Sequence, residues 1–183
     1  FQTMVTLPGP MSDHMQVADF DADFMPDLVC TNDGGSSLSV LFNALPSASN
    51  YCLSVPNSTG VGAKIGITGS GSPAANNLFL RVTDAPPLPM GLCFYGVKPT
   101  SLPFQGSFLC VEPPIRRFVP AVQVNANGVA TYMLPLAQGL VAHRQIYVLP
   151  GDVLNFQFLY RDSRSPNWPR TNFSDGLRIV FEP

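Results

Sequence analysis

The stretch VLNFQFLY, Val153–Tyr160, decides the fold class. Its large apolar residues, Leu154, Phe156, Phe158 and Tyr160, fall at every second position, with Asn155 and Gln157 between them. A strand sends successive side chains to opposite faces, so this spacing lines one face of a strand, whereas a helix would scatter the same residues around its axis. Val61, Ala63, Ile65 and Ile67 repeat the pattern. Working outward, strand-like runs recur at Val61–Ile67, Leu78–Thr83, Gly91–Val97, Ser107–Val111, Val129–Leu134, Gln145–Leu149, Val153–Tyr160 and Gly176–Phe181, with Gly, Pro or Asn clusters between them. Eight short strands punctuated in this way predict an all-β domain, a β-sandwich or jelly roll. The only helical candidate is Leu134–Val141, weakened by Pro135 and Gly139.

Composition agrees with that reading. In 183 residues, 12% are charged, 45% are hydrophobic, and 19 Pro with 15 Gly supply abundant turns. The length suits one good core, or a small segment plus one medium domain. The net charge of −2 hides an asymmetry: residues 1–50 hold six Asp and no Lys or Arg, while the rest holds all ten Lys and Arg against six acids. An acidic block without basic partners repels itself unless a cation neutralises it, which points to metal binding at the front of the chain. The weakly basic remainder does not argue for nucleic acid. No run of about 18 apolar residues is present, so no membrane insertion is expected. Phe1 follows no initiating Met or leader pattern, and the chain is expected to be a processed or excised piece.

Residues 1–43 form the first expected segment. Short apolar runs at Asp27–Thr31 and Leu38–Phe42 flank the turn chemistry of Asn32-Asp33-Gly34-Gly35, a hairpin signal. Residues 44–50, of small residues and one Pro, read as a linker, and residues 51–183 as the sandwich domain. Ahead of the hairpin lies DFDADFMPDLV, with carboxylates at Asp19, Asp21, Asp23 and Asp27. Calcium takes six to eight oxygen ligands, and carboxylates at alternate positions of a tight loop can turn inward onto it. An EF-hand would carry Gly and Glu where this chain has Phe24 and Cys30, so the loop is not an EF-hand.

The longer stretch VADFDADFMPDLVCTNDGGSSLSVLFN, within about residues 14–43, resembles an FG-GAP/VCBS-type repeat, the blade unit of integrin-like propellers, whose pattern is Asp-x-Asp-x-Asp-Gly-x-x-Asp-Leu between two strands. The resemblance implies that Asp19, Asp21, Asp23 and Asp27 are calcium ligands. Phe24 replaces the family's Gly, where a side chain costs about 1 kcal/mol or more if a left-handed backbone is kept. A loop that holds calcium and one that has lost it therefore both remain open. One blade cannot bury both of its faces alone. Either a longer propeller has been cut away, or the segment adds its strands to the second domain or to a neighbouring subunit.

The second segment also resembles a known type. YCLSVPNSTG, SLPFQGSFLCVEPPIRR, PGDVLNFQFLYRD and NFSDGLRIVFEP are similar to a module found at the C-terminus of large secreted or surface proteins of planctomycetes and related bacteria. That likeness implies an extracellular location and a Cys52–Cys110 disulfide, leaving Cys30 and Cys93 as buried thiols or as a second bridge. The residues alone say less: the four cysteines lack C-x-x-C spacing and flanking His, which argues against zinc and for one or two disulfides in an exported protein.

Two functional readings remain to be weighed. The loop YRDSRSPNWPRTNFSDG sets Tyr160, Arg161, Trp168 and Arg170 together, aromatic faces beside hydrogen-bonding groups of the kind that suit a sugar ring, although Trp168 between two prolines can equally cap the core. Catalysis has little to work with. The two histidines, His14 and His143, stand in different segments without a recognisable signature, and carboxylates such as Asp152, Asp162, Asp175 and Glu112 form no legible pair. The expectation is a non-enzymatic, secreted or cell-surface module for protein–protein assembly, adhesion or surface attachment. Its alternatives are a carbohydrate-binding module using the Trp168 loop, and a subunit of an extracellular polymer built by strand donation.

Overall fold

The computed structural model describes residues 3–5, 14–18, 20, 27–31, 37–42, 47–142, 144–164 and 170–182. They are all-β, without a helix, and every strand pairing is antiparallel. The chain divides into two compact units, Phe1–Leu45 and Pro46–Pro183.

The first unit is a four-stranded sheet of β1 (Thr3–Val5), β2 (Met15–Ala18), β3 (Asp27–Thr31) and β4 (Leu38–Phe42), in the order β1-β4-β3-β2. The hairpin expected from the apolar runs is β3–β4, in register Leu28↔Leu41 and Val29↔Val40. Period-2 alternation puts Val17, Leu28 and Leu41 in one row across β2, β3 and β4, and Gln16, Val29 and Val40 in the next row on the opposite face. Both faces are thus substantially apolar.

The second unit contains β5 (Ser47–Tyr51), β6 (Lys64–Thr68), β7 (Phe79–Thr83), β8 (Met90–Gly96), β9 (Pro99–Phe104), β10 (Ser107–Val111), β11 (Arg116–Arg117) and β12 (Val122–Gln123). It continues with β13 (Ala130–Met133), β14 (Leu140–Ala142), β15 (Arg144–Ile146), β16 (Val153–Arg161), β17 (Thr171–Phe173) and β18 (Gly176–Val180). A seven-stranded sheet runs β11-β8-β16-β18-β5, with β12 also on β8 and β17 also on β16. A three-stranded sheet runs β13-β7-β6, and β9–β10 and β14–β15 are hairpins. The main core joins Phe156, Phe158, Tyr160, Tyr95 and Ile179 of the larger sheet to Ile65, Leu80, Val82 and Ala130 of the smaller one, a sandwich-like arrangement.

A second, smaller cluster of Phe94, Val111 and Phe173, with Leu109, Ile115 and Leu159 against it, draws on β8, β16 and β17 together with β10. Adjacent residues of β8 show the division: Phe94 belongs to this cluster, and Cys93 and Tyr95 to the main core. The strand that decides the fold, β16, is therefore covered on both faces. Its alternation is as expected, but Asn155 and Gln157 are buried rather than solvated.

Several sequence expectations are corrected here. Leu134–Val141 is no helix: Leu136, Ala137 and Gln138 make a turn, and β14 begins at Leu140, consistent with Pro135 and Gly139 denying a continuous helical ladder. Val61 does not share the buried row of Ala63 and Ile65; it is exposed, and β6 starts only at Lys64. Ser47–Asn50, read as linker, is most of β5, which pairs along its length with β18. Six strands of this unit, β5, β9, β11, β12, β14 and β17, were not anticipated because they are short, polar or proline-bearing. Pro99 and Pro103 are tolerated in β9 because it pairs only with β10. Gln105 and Gly106, with φ of 51° and 78°, form the tight reversal between them, where both left-handed positions match the twist of a two-residue hairpin.

Candidate functional sites

The Asp-rich loop is closed at its foot by the pairing of Ala18 with Asp27. Asp27 is fully buried, and its Oδ2 accepts the Phe20 backbone N–H at 2.7 Å. One of the four expected ligands thus accepts a backbone N–H. Asp19, Asp21 and Asp23, with Phe24, lie outside the described residues, and among those described no three His, Cys, Asp or Glu converge.

In the second unit the Cys52–Cys110 disulfide is present, joining the residue after β5 to β10 across a separation of 58 residues. Cys30 and Cys93 are free. Burial pushes the Cys93 thiol up to about 12, which makes it an inert core residue. Gln157 is the centre of the surrounding network. Its Nε2 donates to the carbonyls of Phe108 (2.9 Å) and Ser174 (2.8 Å), and its Oε1 accepts the Cys110 N–H at 2.9 Å. Tyr51 adds a hydrogen bond from its hydroxyl to the Cys110 carbonyl at 2.7 Å, and burial raises its pKa. An amide isolated in an aromatic run was the available sequence signal for this clamp.

Asp175 forms a second clamp. Oδ1 accepts the Ile65 N–H at 2.9 Å, Oδ2 accepts from Asn50 Nδ2 at 3.2 Å, and Lys64 Nζ stands 3.3 Å from Oδ2. Asn50 Nδ2 also donates to the Ile65 carbonyl. The side chains of Asp175 and Asn50 therefore satisfy both backbone groups of Ile65 on the edge strand β6. Burial raises the Asp175 pKa, against the pull of the Ile65 N–H, Lys64 and Asn50. A groove of about 440 Å³ opens beside it, with Lys64, Arg81, Thr68 and Thr83 on its walls.

Part of the expected ligand loop lies among the described residues. Tyr160 is turned into the core, stacked 5.9 Å from Phe158, with its hydroxyl near Asn57 Nδ2 at 3.4 Å, and burial pushes its pKa up to about 12. Its ring is not offered to a ligand. Arg161 and Arg170 are exposed, with the Arg170 carbonyl accepting the Asp162 N–H at 2.8 Å; Trp168 lies outside the described residues. Arg161 borders two cavities. One, about 300 Å³, is lined mainly by Met90, Gly91, Leu92, Ala121, Leu159 and Thr171. The other, about 210 Å³, lies between Arg161–Arg164 and the segment Pro86–Pro89, which sequence reasoning did not single out.

Three of the carboxylates considered for catalysis have structural partners. Asp162 Oδ2 accepts the Ser58 N–H at 2.7 Å, Asp152 Oδ2 accepts the Leu149 N–H at 2.8 Å, and Asp175 is clamped as above. His14 belongs to the first unit, where its carbonyl accepts the Thr31 N–H, and His143 lies outside the described residues. Among the described residues no helix is long and apolar enough to cross a membrane. No protein-family profile, curated protein or solved structure matches the chain.

Proposed function

We propose that this chain is a non-catalytic, extracellular or cell-surface module for protein–protein assembly, adhesion or surface attachment, and that its first unit supplies the contact. The observation that carries this reading is β2. Among the described residues it ends the sheet order of the first unit and pairs only with β3, and it leaves Met15 and Val17 66% and 65% exposed. Edge strands are ordinarily protected by Lys, Pro or an inward charge, and Met-Gln-Val-Ala has none of these. Such an edge is suited to accept a strand from another chain. The disulfide supports the extracellular part of the reading, since disulfides persist in oxidising compartments.

The resemblance of the Asp-rich loop to calcium-binding blade loops adds a cofactor to the proposal. Asp27 sits at the loop's closed foot, and the chemistry of the set, carboxylate oxygens only, fits a hard cation. Asp19, Asp21, Asp23 and Asp27 would hold calcium, which would stiffen the loop beside β2. Sedimentation velocity over a concentration series tests the assembly: the chain associates with itself, and Met15→Lys with Val17→Lys keeps it monomeric. A chain that stays monomeric at the highest attainable concentration, or whose association ignores those substitutions, sinks the self-assembly reading. Melting with calcium or chelator tests the metal separately, because a cation bound only by the folded state raises Tm and Asp21→Ala removes that rise.

A further inference from the structure

The cavity of about 210 Å³ between the end of β16 and Pro86–Pro89 belongs to the second unit and has a chemistry of its own. Asp162, which lines it, is 1% exposed. Its backbone is fixed by the hydrogen bond to Arg170, and Oδ2 is taken by Ser58, but Oδ1 is buried without a partner. A buried carboxylate oxygen left unpaired is costly, and such groups call for an explanation. Arg161 and Arg164, on the same lining, make no ion pair with a carboxylate among the described residues. The lining also takes in Pro86, Pro87, Leu88 and Pro89, an apolar segment whose prolines have no backbone N–H to donate.

We propose that this pocket binds a single sugar-acid ring of the uronate type. The complement of the pocket is a ligand with one hydroxyl for Asp162 Oδ1, an anionic group for Arg161 and Arg164, and a C–H face for the prolines. A uronate carries all three on one ring. Guanidinium forks match carboxylates well, and such charge-assisted bonds are about twice as strong as neutral ones. The volume is below the roughly 300 Å³ at which pockets for whole drug-sized ligands begin, so one ring is the appropriate size. A zwitterionic amino acid fits less well, because its ammonium needs three acceptors and would enter against the field of two arginines.

Calorimetric titration of the full chain with glucuronate, galacturonate, glucose, galactose and glycine tests the assignment. At least one uronate is expected to bind in about the millimolar range, and its neutral hexose about tenfold more weakly or not at all. Arg161→Ala with Arg164→Ala reduces uronate binding to the neutral level, and Asp162→Asn, which keeps an oxygen for Ser58 but offers an NH2 to the ligand, weakens it by a similar factor. Binding by neither uronate, binding indifferent to the substitutions, equal binding of neutral hexoses, or tighter binding of glycine overturns the proposal. If Asp162→Asn does not fold, the double arginine variant decides alone, since both side chains are exposed.

Discussion

Gln157 and Asp175 show how single polar side chains hold this sandwich together. Gln157 satisfies three backbone groups, on Phe108, Cys110 and Ser174, two of them in fully buried bonds, from the middle of β16. Gln157→Leu has similar volume but orphans all three, and each buried unpaired group costs about 1–3 kcal/mol. The expected loss is about 3 kcal/mol or more, read as a lower urea midpoint, and a loss under about 1 kcal/mol would show that the network relaxes without it. Asp175 leaves a pH signature. Its folded pKa is raised from 3.8 by burial, so the native chain keeps a proton that the unfolded chain has already released. Stability therefore falls as pH rises from about 3.8 through the raised value, and is level above it. Asp175→Asn removes this component, so Tm of the variant minus Tm of the wild type should increase across that window. A difference that shrinks with rising pH contradicts the assignment.

Among the elements, the β9–β10 hairpin depends most on covalent and polar anchorage. Phe104 and Leu102 on β9 are exposed, while β10 is held by Gln157, by Tyr51 and by the Cys52–Cys110 bridge. Closing a loop of 58 residues in the unfolded chain corresponds to about 4 kcal/mol in the chain-entropy account. Cys52→Ala is the cleaner probe, because Cys110 also sits in the Gln157 network. It is expected to lower Tm markedly and to make the protein insensitive to reductant, whereas the wild type should fall to a similar Tm on reduction. An unchanged Tm would mean that the hydrogen bonds alone hold the hairpin. Sequence reading located β10 because Ser107–Val111 is apolar and bounded by Gly106. It passed over β9, where two prolines disguise a strand that needs few ladder bonds.

Across the whole molecule, legibility followed the range of the interactions involved. The all-β class, the β3–β4 hairpin, and the positions of β7, β8, β10, β13, β16 and β18 follow from period-2 alternation and turn residues, which act over a few neighbours. The resemblance of the second segment pointed to the Cys52–Cys110 bridge that is present. The Tyr160–Gly176 segment was read less well, since a strand end followed by Arg and Asp carries no mark of which side chain turns inward. Tyr160 looked available and is core, whereas Asp162, weighed only as a candidate carboxylate, is buried with one oxygen unpaired. Local chemistry was thus sufficient for the elements and for the acidic asymmetry of the first 50 residues. Only tertiary packing decided that β16 is covered on both faces, that Asn155 and Gln157 are interior, and that Pro86–Pro89 faces Arg161–Arg164. Those outcomes depend on pairing strands far apart in sequence, and local alternation along a strand carries no information about what will cover its second face.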